Sequence, residues 1–124
     1  MAYDEFLADR IRQQLKERHI SFDELKMMGG LCFKVANKML CGIHIDKKFG
    51  ASLFMARIGE SGYLDELKKP ECLPMNFTGR PMKGYIFVTP DGFDMDKDLS
   101  YWLDLCLAFN PLAKASKPKK KAKN

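Results

Sequence analysis

Residues 31–35 and 39–45 are two apolar runs parted only by Ala36-Asn37-Lys38. Short apolar runs bounded by turn residues read as strands. So short a gap forces them antiparallel, because parallel neighbours need a crossover of about a dozen residues or more. Asn37 tolerates the left-handed conformation of a tight hairpin turn. The chain is therefore built around a β-hairpin. Gly29-Gly30 just ahead of it marks a bulge or a close backbone approach. If Ala36-Asn37 is a two-residue loop, Cys32 and Cys41 fall directly opposite one another. A redox bridge there is weighed against two reduced, buried thiols. The second is preferred, since cytosolic disulfides are rare.

The rest of the chain supplies material to cover that hairpin. Over residues 3–18, Tyr3, Leu7, Ile11 and Leu15 recur at four-residue steps beside Phe6, which predicts an amphipathic helix. "SFDEL" carries a capping-box pattern from Ser21 to Glu24 and reads as a turn or a single helical turn. Residues 46–52 read as a polar loop, 53–58 as a strand, and 59–69 as a short helix stopped by Pro70. Residues 75–77 and 85–88 read as strands, and 89–92, "TPDG", as a turn. A last helix holds Leu99, Trp102, Leu103, Cys106 and Leu107 on one face, with Asp94 or Asp96 as N-cap. The order α-β-β-β(-β)-α-β-β-α predicts a two-layer α+β domain, an antiparallel sheet with helices packed on one face.

Charge divides the chain into body and tail. From Lys114 onward the sequence holds six lysines and no acid. Taking those six from the 21 Lys and Arg leaves 15 basic against 16 acidic side chains in residues 1–113. The domain is placed at 1–111, with residues 112–124 a lysine-rich tail expected to be disordered, since from Lys114 onward it has no large apolar residue to bury. Lys117, Lys119, Lys120, Lys121 and Lys123 would give weak, salt-sensitive, sequence-blind contact with nucleic acid. No run approaches the roughly 18 apolar residues of a membrane span. Asp4, Glu5 and Asp9 do not suit a signal-peptide start, so the expected location is the cytoplasm, without membrane association.

Catalytic chemistry is thinly represented. Cys32, Cys41, Cys72 and Cys106 form no C-x-x-C, and no Cys/His pair has zinc spacing. His19 lies at a helix end, where capping is the expected role. His44 and Asp46 share one side of a strand, yet no serine or cysteine signature nominates a nucleophile. "DGFDMDKD" lacks the closing glutamate of a calcium loop, and there is no Walker A or dinucleotide fingerprint. No catalytic residue, metal or cofactor is assigned, and the chain is read as not an enzyme.

The stretch "NFTGRPMKGYIFV", residues 76–88, joins two of the strands. Pro81 fixes its own φ and drives Arg80 extended, while Gly79 and Gly84 permit tight turning. Arg80 and Lys83 then project from a rigid connection as cationic handles.

This stretch resembles the signature of the TfoX/Sxy N-terminal domain family. "KMMGGLCFKVANKMLCGI", "LFMARIG", "WLDLCLAF" and the opening "MAYDEFLADRIRQQL" are similar to that family's segments in the same order, over about residues 1–110. Met28, Ala36-Asn37 and a longer 46–52 loop depart from its usual pattern. The resemblance implies a two-layer α+β fold like that of secretion-chaperone-like and YjbR-like proteins. It also implies a non-enzymatic role: the best-known members are competence regulators, acting as coactivators beside a cyclic-AMP receptor protein. Those regulators carry a second helical domain, where this sequence has the lysine tail. Within the matched motifs, Arg57, Arg80 and Lys83 are the expected partner-binding residues, and an unidentified protein is the expected partner.

Overall fold

The structure is a computed structural model and describes residues 3–27, 29–48, 50–75 and 82–113. Helix α1, Glu5–Glu17, starts at Asp4, whose carboxylate accepts the Phe6 N–H at 2.9 Å. Its stripe of Leu7, Ala8, Ile11 and Leu15 is buried, as the four-residue spacing requires. The helix ends through His19 at φ 58°, whose backbone N–H reaches the Lys16 carbonyl. Backbone geometry therefore closes this end, and the imidazole is exposed.

Six strands follow: β1 Asp23–Met27, β2 Gly30–Val35, β3 Lys38–Asp46, β4 Ala51–Arg57, β5 Cys72–Pro74 and β6 Tyr85–Val88. They form one antiparallel sheet in the order β1-β2-β3-β4-β6-β5. Helix α2, Tyr63–Leu67, lies between β4 and β5, and helix α3, Asp96–Phe109, closes the fold. Residues Leu31, Ile43, Phe54, Val88 and Cys72 lie in one row across the sheet and point into the core. There they meet the α1 stripe and Leu99, Trp102, Leu103 and Cys106 of α3. The α+β expectation with helices on one face is thus met. No helix among the described residues is long and apolar enough to cross a membrane.

Four local expectations are corrected. The stretch 21–25 is not a turn or helical turn, since edge strand β1 begins within it at Asp23 and runs to Met27. Glu24 does not serve a capping box there; its carboxylate accepts from Nε and Nη2 of the Arg12 guanidinium, at 2.6 and 2.9 Å. Ala36 and Asn37 do form the two-residue loop, at φ 54° and 66°. However, a bulge between Phe33 and Lys34 shifts the register, so Cys32 faces Gly42 and Cys41 faces Phe33. A one-residue shift puts Cys32 and Cys41 on opposite faces of the sheet, which removes the geometry of a bridge. The 46–52 loop is shorter than read, since Ala51 and Ser52 already pair with Asp46 and Ile45. Finally, Met95 occupies the N-cap of α3 without a side-chain bond, and neither Asp94 nor Asp96 does. Of the strand read at 75–77, Met75 is described and lies just past β5; the rest falls outside the described residues.

Cationic side chains tie the layers together at their edges. Arg10 donates to the carbonyls of Phe93 and Asp94, at 2.8 and 3.0 Å. Arg18 bonds the Ser100 hydroxyl at 2.6 Å and Asp104 at 2.9 Å. Lys38 donates to the carbonyls of Asn110 and Pro111, at 3.2 and 3.3 Å, where the end of α3 presents partial negative charge. The Asn110 amide donates to Val35 O at 3.2 Å. The β2–β3 hairpin thereby holds the C-terminal end of α3.

Candidate functional site

One cleft forms where β4 ends, β6 begins and α3 runs out. The carbonyl of Gly84 accepts the N–H groups of Ile58 and Gly59, at 2.9 and 3.1 Å. Both glycines are left-handed, at φ 83° for Gly59 and 89° for Gly84. A Cβ on Gly84 would stand 3.2 Å from the Gly59 Cα, and one on Gly59 would enter the Phe109 ring. The absence of two side chains therefore lets Phe109 come down on the strand ends. The resulting cleft encloses about 280 Å³, with Arg57, Lys83, Tyr85 and Phe109 among its walls and Glu60 and Leu112 at its exposed edge.

Arg57 is the fixed charge of this cleft. It stands directly opposite Tyr85 in the β4–β6 ladder. Its guanidinium carbon lies 5.5 Å from the Tyr85 ring centroid and 5.8 Å from that of Phe109. Its Nη1 also donates to the Met39 carbonyl at 3.4 Å. Lys83, by contrast, is exposed, as is Glu60. Leu112 is 77% exposed, a large apolar group facing water beside the charges. Ala113, the last described residue, is buried, and the lysine-rich segment continues from it.

The structure thus brings together two of the three expected partner-binding residues, Arg57 and Lys83. Arg80 lies outside the described residues, as do Lys117, Lys119, Lys120, Lys121 and Lys123. Of the tail expected to be disordered from 112, Leu112 instead ends a 3-10 turn and Ala113 is buried, and the rest lies outside the described residues. Sequence reasoning missed Tyr85, Phe109, Glu60 and Leu112. Tyr85 carried a usable signal, since it leads an apolar strand on the same side as Phe87. Phe109 and Leu112 carried none, because only tertiary packing brings the end of α3 to β4.

A second feature covers the helix-free face of the sheet. Leu25, Cys32, Gly42, Met55, Phe87 and Leu73 form one row across all six strands there. Met39, Met55 and Met75 flank Gly42, leaving a shallow apolar groove of about 50 Å³. His44 borders it, with Nε2 3.5 Å from Asp46 Oδ2 and its ring 5.3 Å from that of Phe87. Cys32 lines the same groove, so a thiol and the His–Asp pair share one surface. Burial nevertheless pushes the Cys32 thiol pKa up, against a smaller lowering by Lys34. A nucleophilic thiol needs the opposite shift.

Another cleft, about 410 Å³, lies beside Lys69, Tyr101 and Trp102. Lys69 Nζ sits 2.7 Å from Glu66 Oε1, an ion contact without hydrogen-bond geometry, and donates to the Tyr101 hydroxyl at 2.9 Å. That hydroxyl donates to Glu66 Oε2 at 2.7 Å. Burial lowers the Lys69 pKa, but Glu66 and Tyr101 outweigh it and hold the ammonium charged. The three groups form a structural tie between α2 and α3, in which Glu66 Oε1 has the Lys69 ion contact alone.

Compared with protein-family models, with curated proteins and with solved structures, the chain matches none.

Proposed function

We propose that this chain is a non-enzymatic regulatory module that binds another protein, of the kind represented by the N-terminal domain of TfoX/Sxy competence regulators. On this reading the fold relationship is to the secretion-chaperone-like and YjbR-like proteins, and the role is coactivator-like. One observation carries the proposal: Arg57 and Lys83, far apart in sequence, line one small cleft with Tyr85 and Phe109. An arginine set against a tyrosine and a phenylalanine has the composition of an interface anchor, with exposed Lys83 and Leu112 at its border. The residues that could do bond chemistry support the same reading. His44 is paired with Asp46 and packed on Phe87, the thiol that shares its groove, Cys32, is made less acidic by burial, and Lys69 is engaged by Glu66 and Tyr101.

Affinity capture from the native cell tests the proposal, run with and without nuclease and repeated with Lys83→Glu. The expected result is a protein recovered regardless of nuclease and lost with the variant. Equal recovery with the variant would remove the cleft from the function. A second reading, weak nucleic-acid binding through the tail, is favoured by the concentration of all net positive charge beyond residue 113. It predicts recovery that disappears with nuclease.

A further inference from the structure

We infer that the segment of the partner seated in the Arg57–Lys83 cleft is an acidic peptide carrying a large apolar side chain next to its carboxylates. The inference rests on the interaction-module reading above and adds the chemistry of what is recognised. Three observations carry it.

Size comes first. The cleft encloses about 280 Å³, below the roughly 300–1,000 Å³ of sites that engulf a small molecule. It accepts a side chain or two from an extended chain. Charge comes second. Lys83 is exposed, Arg57 is a fixed cation behind it, and Lys38 is held at the carbonyls of Asn110 and Pro111, immediately before Leu112. Six further lysines follow in the sequence from position 114, two residues after Leu112. Glu60 is the single acid on the cleft wall among the described residues. An anionic partner is thereby drawn in at long range and fixed by Lys83 at short range.

The third observation separates a peptide from a nucleic-acid strand. Bases need open aromatic faces to stack on. Here the Tyr85 and Phe109 rings both face the Arg57 guanidinium and are only partly exposed. Glu60 would also repel a continuous line of phosphates. Leu112, 77% exposed at the edge, instead offers an apolar side chain a place to rest. A peptide with a carboxylate for Lys83, an apolar group for Leu112 and backbone N–H groups for Glu60 meets every wall.

The test uses the full-length protein in fluorescence anisotropy against three labelled probes. These are a 12-residue peptide of alternating Glu and Leu, the same peptide with Gln for Glu, and single-stranded oligo-dT of equal length. The inference predicts that the acidic peptide binds about tenfold more tightly than the neutral one. Lys83→Glu, at an exposed position that leaves the thermal melt unchanged, weakens it by about tenfold. Glu60→Gln tightens it by about twofold. Replacing the six tail lysines by glutamine flattens the salt dependence but preserves the effect of Lys83→Glu. Equal affinity for the acidic and neutral peptides overturns the inference, as does tighter binding of oligo-dT or indifference to Lys83→Glu. In each of those cases a nuclease-resistant, Lys83-dependent partner from the cell would still uphold the interaction module, so the two failures are told apart.

Discussion

Gly59 and Gly84 meet backbone to backbone: the Gly84 carbonyl accepts the Gly59 N–H at 3.1 Å, and each residue is left-handed. This contact sets the floor of the cleft, because a side chain on either glycine would occupy the space that the other or Phe109 fills. Gly84→Ala is therefore expected to cost about 1–3 kcal/mol, combining a positive φ with a backbone contact that cannot yield. Urea unfolding followed by far-UV circular dichroism measures it. A loss under about 0.5 kcal/mol would show that the strand ends do not depend on this contact.

Two other glycines separate close approach from mere openness. A Cβ on Gly30 would run into the Ile43 carbonyl oxygen and stand 2.9 Å from the His44 Cβ. One on Gly42 would meet the Leu31 carbonyl oxygen at 3.3 Å and the movable Cys32 Sγ and Met55 Cε at 3.4 and 3.7 Å. Gly30→Ala should accordingly destabilise by about 2 kcal/mol or more, and Gly42→Ala by about 1 kcal/mol or less. Equal losses in the same urea assay would contradict the placement of β2 against β3.

Arg12 joins α1 to β1 through a bidentate bond to Glu24, with Asp9 at 2.6 Å and Glu5 at 3.2 Å. Glu24 is the least exposed of the three carboxylates, so most of the value lies in that pair. Arg12→Ala should lower stability by about 1 kcal/mol, less in high salt. Arg12→Lys should recover little of it, because an ammonium cannot make the planar two-point contact. Full rescue by lysine would mean that charge alone matters here.

Buried thiols fix an alkaline limit. Burial pushes Cys72 and Cys106 each up to about 12, with Glu71 adding to the first, while an unfolded thiol titrates near ~8.5. The folded state holds these protons more tightly. Their contribution is complete below the unfolded value and is lost as pH rises from about 8.5 towards 12. The urea midpoint should fall across that window, and Cys72→Ala with Cys106→Ala should flatten the fall. A midpoint equally steep in the double variant would assign the decline to other groups.

The places where the sequence misled have physical causes. Strand β1, "DELKM", is polar because it is an edge strand with water on one side, so periodicity could not show it. Glu24 satisfied the capping pattern from Ser21, yet its true partner is Arg12, on a helix that only packing brings near. The bulge after Phe33 was equally hidden, since apolar residues fill that strand in either register. Repeating patterns fared better. The stripes of α1 and α3 were legible because each buries one continuous face, and the 85–88 run because it is apolar on both faces of the sheet. Of the cleft, only Arg57 and Lys83 could be nominated, Arg57 through the family resemblance alone and Lys83 also as a cation at a turn. Their meeting with Phe109 and Leu112 is a long-range fact that no local pattern carries.

The central claim is that the partner arrives at the Lys83 edge of the cleft. A photo-crosslinking residue introduced at position 83 of the full chain, with one at Glu17 on the exposed surface of α1 as control, tests it most directly in living cells. The account predicts a discrete, nuclease-resistant protein adduct from position 83 and none from position 17. Adducts of equal yield from both positions, or only nuclease-sensitive adducts from position 83, would contradict it.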